Sequence, residues 1–308
     1  MRNSKGFALL AALWLLVAFS VVSLALSAGT RRRRLAAANL VEWTGAQAAA
    51  NAGIEQLRQR LAARLEVTVP APIDPWRGAD SVVRDTLEVG DWRAVVHARD
   101  AGAALNLNRA SEDELRRLFV ALRVDAGVAD RLAQAIADWR DPDDLHRMRG
   151  AERDAYLEAG AAVMPANGPF QSLGELRDVR GMTPALYEQV WRYLTLLGSG
   201  QININAADRP VLLTLKGFTE EAVAVVYRAR RARRTIGLLP DLERELSPPA
   251  RREFAAALPQ LLGRATTETR EVEVESEAWL PGSPVRARVT GFLVRSRESA
   301  FYVWSRAE

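Results

Sequence analysis

The feature that most restricts this chain is near its start. From Phe7 to Ala28, 22 residues pass without a charge: FALLAALWLLVAFSVVSLALSA. As a helix this run is about 33 Å long at 1.5 Å per residue, enough to cross the hydrocarbon of a bilayer. It is longer than the apolar region of a secretory signal, and Arg31–Arg34 follow it rather than a small-residue cleavage site. No proline occurs before Pro70, so the helix is expected to continue as a stalk beyond the membrane span. Before the span stands a short polar leader, MRNSKG, ending in Gly6 and followed by Phe7. Charge leaves the orientation ambiguous, and the positive-inside rule alone would favour the Arg31–Arg34 side as cytoplasmic. Arg2, Lys5 and the terminal amine lie on one side, and four arginines on the other.

The remainder of the 308 residues divides by pattern. Residues 81–99 hold two alternating apolar runs either side of Gly90-Asp91, the signature of a β-hairpin. Near the far end, residues 268–277 alternate strictly, and strands over 285–296 and 298–305 follow a Pro-Gly-Ser-Pro turn. Between the two β regions the sequence is rich in Leu and Ala and reads as helical. The layout predicted is α+β: a long N-terminal helix on a small antiparallel sheet, with a large all-α, helix-hairpin-helix (SAM-like) domain inserted between strands. The boundaries expected are a leader over 1–6 and a membrane span over 7–28. The rest of the helix follows over 29–69, with the sheet over 80–104 and 264–308 and the insertion over 105–263.

The insertion repeats itself. Leu105-Asn-Leu-Asn108 returns as Ile202-Asn-Ile-Asn205, 97 residues on, with Ala110/Ala207, Leu115/Leu212 and Leu118/Leu215 in register. Ser111 with Glu114 forms a capping box, and Asp208 with Pro210 marks a second helix start. At an offset of 36, Val179-Arg-Gly-Met-Thr183 matches Leu215-Lys-Gly-Phe-Thr219, as two helix-hairpin-helix units would.

Composition excludes much chemistry. With no cysteine and only His97 and His146, there is neither thiol catalysis, nor a Cys-ligated metal, nor much material for a histidine centre. No Gly-Lys-Ser/Thr phosphate loop, Gly-x-Ser-x-Gly or His-Glu-x-x-His is present, so no enzyme is expected. Helix-hairpin-helix units also bind DNA, which makes a membrane-anchored DNA-binding protein the rival reading. Against it, Thr183 and Thr219 replace the second hairpin glycine, and Glu220 and Glu221 sit where a phosphate would approach the following helix. Residues 102–240 carry 19 basic and 18 acidic residues, a poor polyanion surface. The one basic cluster, Arg228, Arg230, Arg231, Arg233 and Arg234, reads first as a solvated helix end. Asp138, Asp141, Asp143, Asp144, Glu152 and Asp154 form an acidic group whose hard oxygens suit calcium, although the spacing is not that of an EF-hand. The competing reading is a solvated acidic loop with helix caps.

Taken together, the leader MRNSKG-F, Leu105-Asn-Leu-Asn108, Asp138-Trp-Arg-Asp141, Gly150-Ala-Glu152, Tyr156, residues 172–182 and residues 202–207 resemble a minor pseudopilin family of type II secretion, subunit K. The resemblance runs over nearly the whole chain. It implies cleavage after Gly6 by a prepilin peptidase, N-methylation of Phe7, and a single-pass inner-membrane protein with its C-terminal domain in the periplasm. It also implies assembly with minor subunits I and J and the major pseudopilin at the tip of a pseudopilus that exports folded proteins, without enzymatic activity or nucleic acid. No cofactor is required, though calcium in the helical domain fits the family. Counting from Phe7, the fifth residue is Ala11 where other pilin-like subunits carry Glu. A subunit with nothing above it has no N-terminal amine to neutralise, and an unpaired buried carboxylate would be costly.

Overall fold

A computed structural model describes residues 4–65, 82–295 and 300–307. Side chains at 1–9, 11, 25, 60–83 and 295–308 lie outside what is described, as do the expected linker and residues 80–81 at the start of the predicted sheet. The expected leader begins outside it, and Gly6 and Phe7 enter only as backbone within the first helix.

Helix α1 (Ser4–Leu65) is continuous over 62 residues. Its first part is exposed, with Leu13, Trp14, Leu16, Phe19 and Leu24 facing outward. Its second part buries Ala46, Ala49, Ala50, Ile54 and Leu57, a stripe at three- and four-residue spacing. That stripe lies on a five-stranded antiparallel sheet. The strands are β1 (Val82–Val89), β2 (Trp92–Asp100), β7 (Glu271–Trp279), β8 (Arg286–Arg295) and β9 (Ala300–Ala307), in that spatial order. In β7 the alternation seen in sequence becomes geometry. Val272, Val274, Ser276 and Ala278 are buried, and the intervening glutamates are not. Small residues set how close the helix comes. A Cβ on Gly53 would stand 3.0 Å from Ser276 Oγ and 3.0 Å from Val96 Cγ2, and one on Gly45 would run into the Trp92 ring.

Everything from β3 to β6 lies between β2 and β7 and has its own core, built around Leu105, Leu118, Ile136, Trp139, Leu212, Val226 and Phe254. The elements are β3 (Leu105–Asn106), α2 (Glu112–Ala121), α3 (Ala126–Arg140), α4 (Arg153–Glu158), α5 (Pro184–Val190), β4 (Leu194–Thr195), β5 (Ile202–Asn203), α6 (Arg209–Leu212), α7 (Glu220–Arg231), α8 (Leu239–Glu243), α9 (Pro248–Arg264) and β6 (Ala265–Thr266). Two short parallel ladders, β3 with β4 and β5 with β6, tie the helices together. The Ser111/Glu114 capping box forms at the start of α2. Asp208 occupies the N-cap of α6 without a side-chain bond, and that helix is a single turn. Gly181 (φ 87°) and Gly217 (φ 82°) take the left-handed conformation at the turns that lead into α5 and α7. Thr183 and Thr219 then cap α5 and α7 by accepting from the Leu186 and Ala222 amides.

The repeated Asn-x-Asn segments do matching work. Asn108 Nδ2 donates to the Phe170 carbonyl and its Oδ1 accepts the Phe170 amide, while Asn205 makes the same pair with Ile236. An arginine closes each turn. Arg140 donates to the Leu107 and Ala110 carbonyls, and Arg230 to those of Ile204 (2.7 Å) and Ala207 (2.6 Å). Arg230 therefore corrects the reading of residues 228–234 as a solvated helix end. It is the one residue of that cluster turned inward, because two backbone carbonyls need its donors; burial lowers its pKa.

Three outcomes follow. Arg230→Ala should lower stability by about 2–4 kcal/mol through two carbonyls left without donors, whereas Arg231→Ala, its exposed neighbour, should stay within about 0.5 kcal/mol. Gly53→Leu should cost about 1–3 kcal/mol by forcing α1 off the sheet. Thermal denaturation of the detergent-solubilised full chain measures all three.

Candidate functional site: an acidic pocket between α3 and α4

The last turn of α3 and the loop to α4 gather most of the acidic residues singled out in the sequence. Asp138 lies within α3 rather than in the turn after it and is completely buried. Its Oδ1 accepts from Arg147 Nη1 at 2.5 Å, and its Oδ2 has no partner. Asp141, the C-cap of α3, also pairs with Arg147 through Oδ2, leaving Oδ1 unpartnered. Glu152, the N-cap of α4, is 1% exposed, and neither of its oxygens has a partner. Asp143 is exposed and accepts from the Leu145 amide at 2.9 Å. One oxygen each from Asp141, Asp143 and Glu152 can be enclosed within 4.8 Å of the others.

The other two candidates point elsewhere. Asp144 accepts from Asn167 Nδ2 at 2.8 Å, and the exposed Asp154 faces His146 Nε2 at 2.6 Å. That hydrogen bond with His146, helped by the Ala155 amide, holds the Asp154 carboxyl below its usual range.

Sequence reasoning missed two members of this site. Arg147 is the single cation shared by Asp138 and Asp141, and its Nε reaches Glu112 at 3.4 Å. Gly150 is the other: a Cβ there would stand 1.8 Å from Asp138 Oδ2, so only glycine leaves room for that carboxylate. Behind them Trp139 stacks on Phe170 (5.9 Å between centroids, 12° between planes) and meets Tyr156 at 5.8 Å, which makes the floor rigid.

The electrostatics are unbalanced. Burial, and then the charges of Asp138, Asp141 and Asp144, push Glu152 up to about 7, against a smaller opposing effect of His146. Four buried carboxylate oxygens on three residues lack donors, and each such atom ordinarily costs about 1–3 kcal/mol or more. A divalent cation with a preference for hard oxygen is the group this set of donors fits. It would take the orphan oxygens and offset the like charges together.

The turn before α7 is poorly suited to an anion. Glu220 pairs with Arg209, and Glu221 accepts from both the amide (2.6 Å) and the hydroxyl (2.6 Å) of Ser247, so carboxylates already occupy the first turn of α7.

Comparison with known proteins agrees with this architecture. Residues 93–199, which include the acidic pocket, match the family model described as type II secretion system (T2SS), protein K. The chain is 30% identical over 192 residues to the type II secretion system protein K of Klebsiella pneumoniae, covering 56% of this chain and 59% of that one. It is 36% identical over 90 residues to the protein K of Dickeya chrysanthemi, covering 29% and 24%. It thus spans less than two thirds of either relative's length. Its fold superposes on a chain in the crystal structure of the GspK-GspI-GspJ complex of the enterotoxigenic Escherichia coli type 2 secretion system. The TM-score is 0.63 at 19% identity, over 91% of this chain and 99% of that one. Through residues 93–199 the chain is thus similar to the type II secretion system protein K family.

Proposed function

We propose that this protein is a minor pseudopilin that forms the tip of a periplasmic pseudopilus with I and J subunits and helps initiate its assembly for export of folded proteins. The observation that carries the reading is the division of α1 on a protein K fold. Its exposed apolar half is long enough to span a membrane, and its small-residue half is locked to the sheet. In this reading the span sits in the inner membrane and the sheet and helical insertion lie in the periplasm. A prepilin peptidase cleaves after Gly6, Phe7 becomes the methylated N-terminus, and the major pseudopilin follows below. The chain is a scaffold and performs no catalysis. The rival DNA-binding role has no support: Glu220 and Glu221 stand in the first turn of α7, where their charge would repel a phosphate.

The helical insertion holds calcium in this reading. Asp138, Asp141, Asp143 and Glu152 are the residues that would hold it, with Arg147 balancing the excess of negative charge. Asp144 and Asp154, turned toward Asn167 and His146, stand outside the set.

Edman or mass-spectrometric analysis of membrane-extracted protein should find a chain beginning at methylated Phe7; an intact Met1 would sink the pseudopilin assignment. Calcium at a hundredfold excess over its Kd should add about 2.7 kcal/mol, several degrees in midpoint, relative to chelator. Asp141→Asn combined with Glu152→Gln should abolish that response, and a wild-type midpoint indifferent to both calcium and chelator would rule the ion out. In chelator the pH dependence has a definite sign. Because the folded state raises the Glu152 pKa from 4.5 to about 7, its protonated form favours folding, and that contribution fades as pH rises across this window. The midpoint in chelator should therefore decline between pH 5 and 8, and Glu152→Gln should flatten the decline.

A further inference from the structure

One motif is still without a role. Arg31, Arg32, Arg33 and Arg34 follow the apolar run on the same unbroken helix, and all four are exposed. At 100° per residue, four consecutive side chains sweep about 300° around the axis. They make a collar, not a face, so they cannot all dock against one flat protein surface.

Among the described residues nothing neutralises them. None of the four has an ion pair or side-chain hydrogen bond among the described residues. No acidic residue occurs before Glu42. Glu42 lies eight residues beyond Arg34, about 12 Å along the axis, farther than the roughly 10 Å screening length at 0.1 M salt. Its carboxylate is in any case engaged by the Ser283 hydroxyl. Arg31 lies three residues after Ala28, only about 4.5 Å past the end of the uncharged run. At that depth a long arginine side chain extends into the headgroup layer.

We infer that Arg31–Arg34 form a collar that binds the phosphates of anionic phospholipids at the membrane surface, fixing the depth at which α1 is held. This rests on the membrane-anchor reading of α1. The surrounding lipid meets all sides of a helix at this height, and its anionic headgroups supply the missing countercharge. The collar also accounts for a charge pattern that conflicts with simple orientation rules. Four arginines on the far side of the span are retained there because they bind lipid.

The test uses the full chain in neutral detergent, mixed with equal amounts of phosphatidylglycerol and phosphatidylcholine of matched acyl chains, with bound lipid counted by native mass spectrometry. Each engaged arginine is expected to contribute roughly a fivefold preference for the anionic lipid, so the wild type should favour phosphatidylglycerol by well over about tenfold. The variant R31Q/R32Q/R33Q/R34Q keeps good helix formers, checked by circular dichroism, and should bring the ratio close to one; the corresponding four-lysine variant should retain most of it. An unchanged preference in the glutamine variant would overturn the collar. So would an unchanged preference together with lost copurification of I and J subunits, which would make the arginines a protein-docking surface. A chain recovered from cells in the soluble fraction would instead defeat the anchor reading itself, and the collar with it.

Discussion

The structure depends on a pairing between strands far apart in sequence. β2 and β7 are hydrogen-bonded neighbours from Arg93 with Trp279 to Asp100 with Val272, although the helical insertion separates them. Closing so long a loop is opposed by entropy that grows only slowly with its length, so a large insertion is tolerated provided its two ends are held together. Asp100 holds them. Its carboxylate accepts from the Gly102 amide (2.8 Å), from Asn203 Nδ2 (2.6 Å) and from Thr269 Oγ1 (2.5 Å), which come from both ends of the insertion and from the ladder inside it. Burial raises the pKa of this carboxyl, against the effect of those three donors. Glu273 with Thr195 and Glu271 with Ser199 extend the same seam. With β2 and β7 joined, the sheet offers one continuous apolar face on which α1 packs.

The acidic pocket illustrates a different relation between fold and charge. Its floor is ordinary core, with Trp139 against Phe170 and Tyr156. On that floor Asp138 and Asp141 share one arginine, Glu152 has no partner, and Gly150 leaves room for the Asp138 carboxylate. Folding alone does not require such an arrangement, since apolar residues of the same volume would cost less. A site that gains its remaining positive charge from a bound ion would couple the order of the loop between α3 and α4 to that ion's concentration.

How much of this was legible depended on spacing. The strands were readable because β7 alternates at the period of a pleat, and the hairpin at Gly90-Asp91 because its flanks do the same. The paired turns at Asn106–Asn108 and Asn203–Asn205 were readable because their offset is constant. The arginines that complete those turns were not. Arg140 follows Asn108 by 32 residues and Arg230 follows Asn205 by 25, so the equivalence is lost to any fixed-offset comparison and emerges only when both side chains reach the same carbonyls. In the acidic group, sequence supplied the residue types but could not separate the converging Asp141, Asp143 and Glu152 from Asp144 and Asp154. Which way a loop carboxylate turns is decided by partners such as Asn167 and His146, and Asn167 is more than twenty residues away.

The sequence by itself determined the features that are local or periodic: an apolar run long enough for a bilayer, a helix with no proline to stop it, the alternating strands, the glycine turns and the lack of cysteine. The positive features among these are encoded within a few neighbouring residues, where backbone sterics and hydrophobic period act directly. Tertiary structure alone decided which charges are buried. Arg230 turns inward while Arg231 stays out, Asp138 is sealed beneath Gly150, and Asp100 joins segments that the chain holds far apart. Burial of a charge depends on donors and acceptors brought by distant segments, and no local pattern records where those segments will meet.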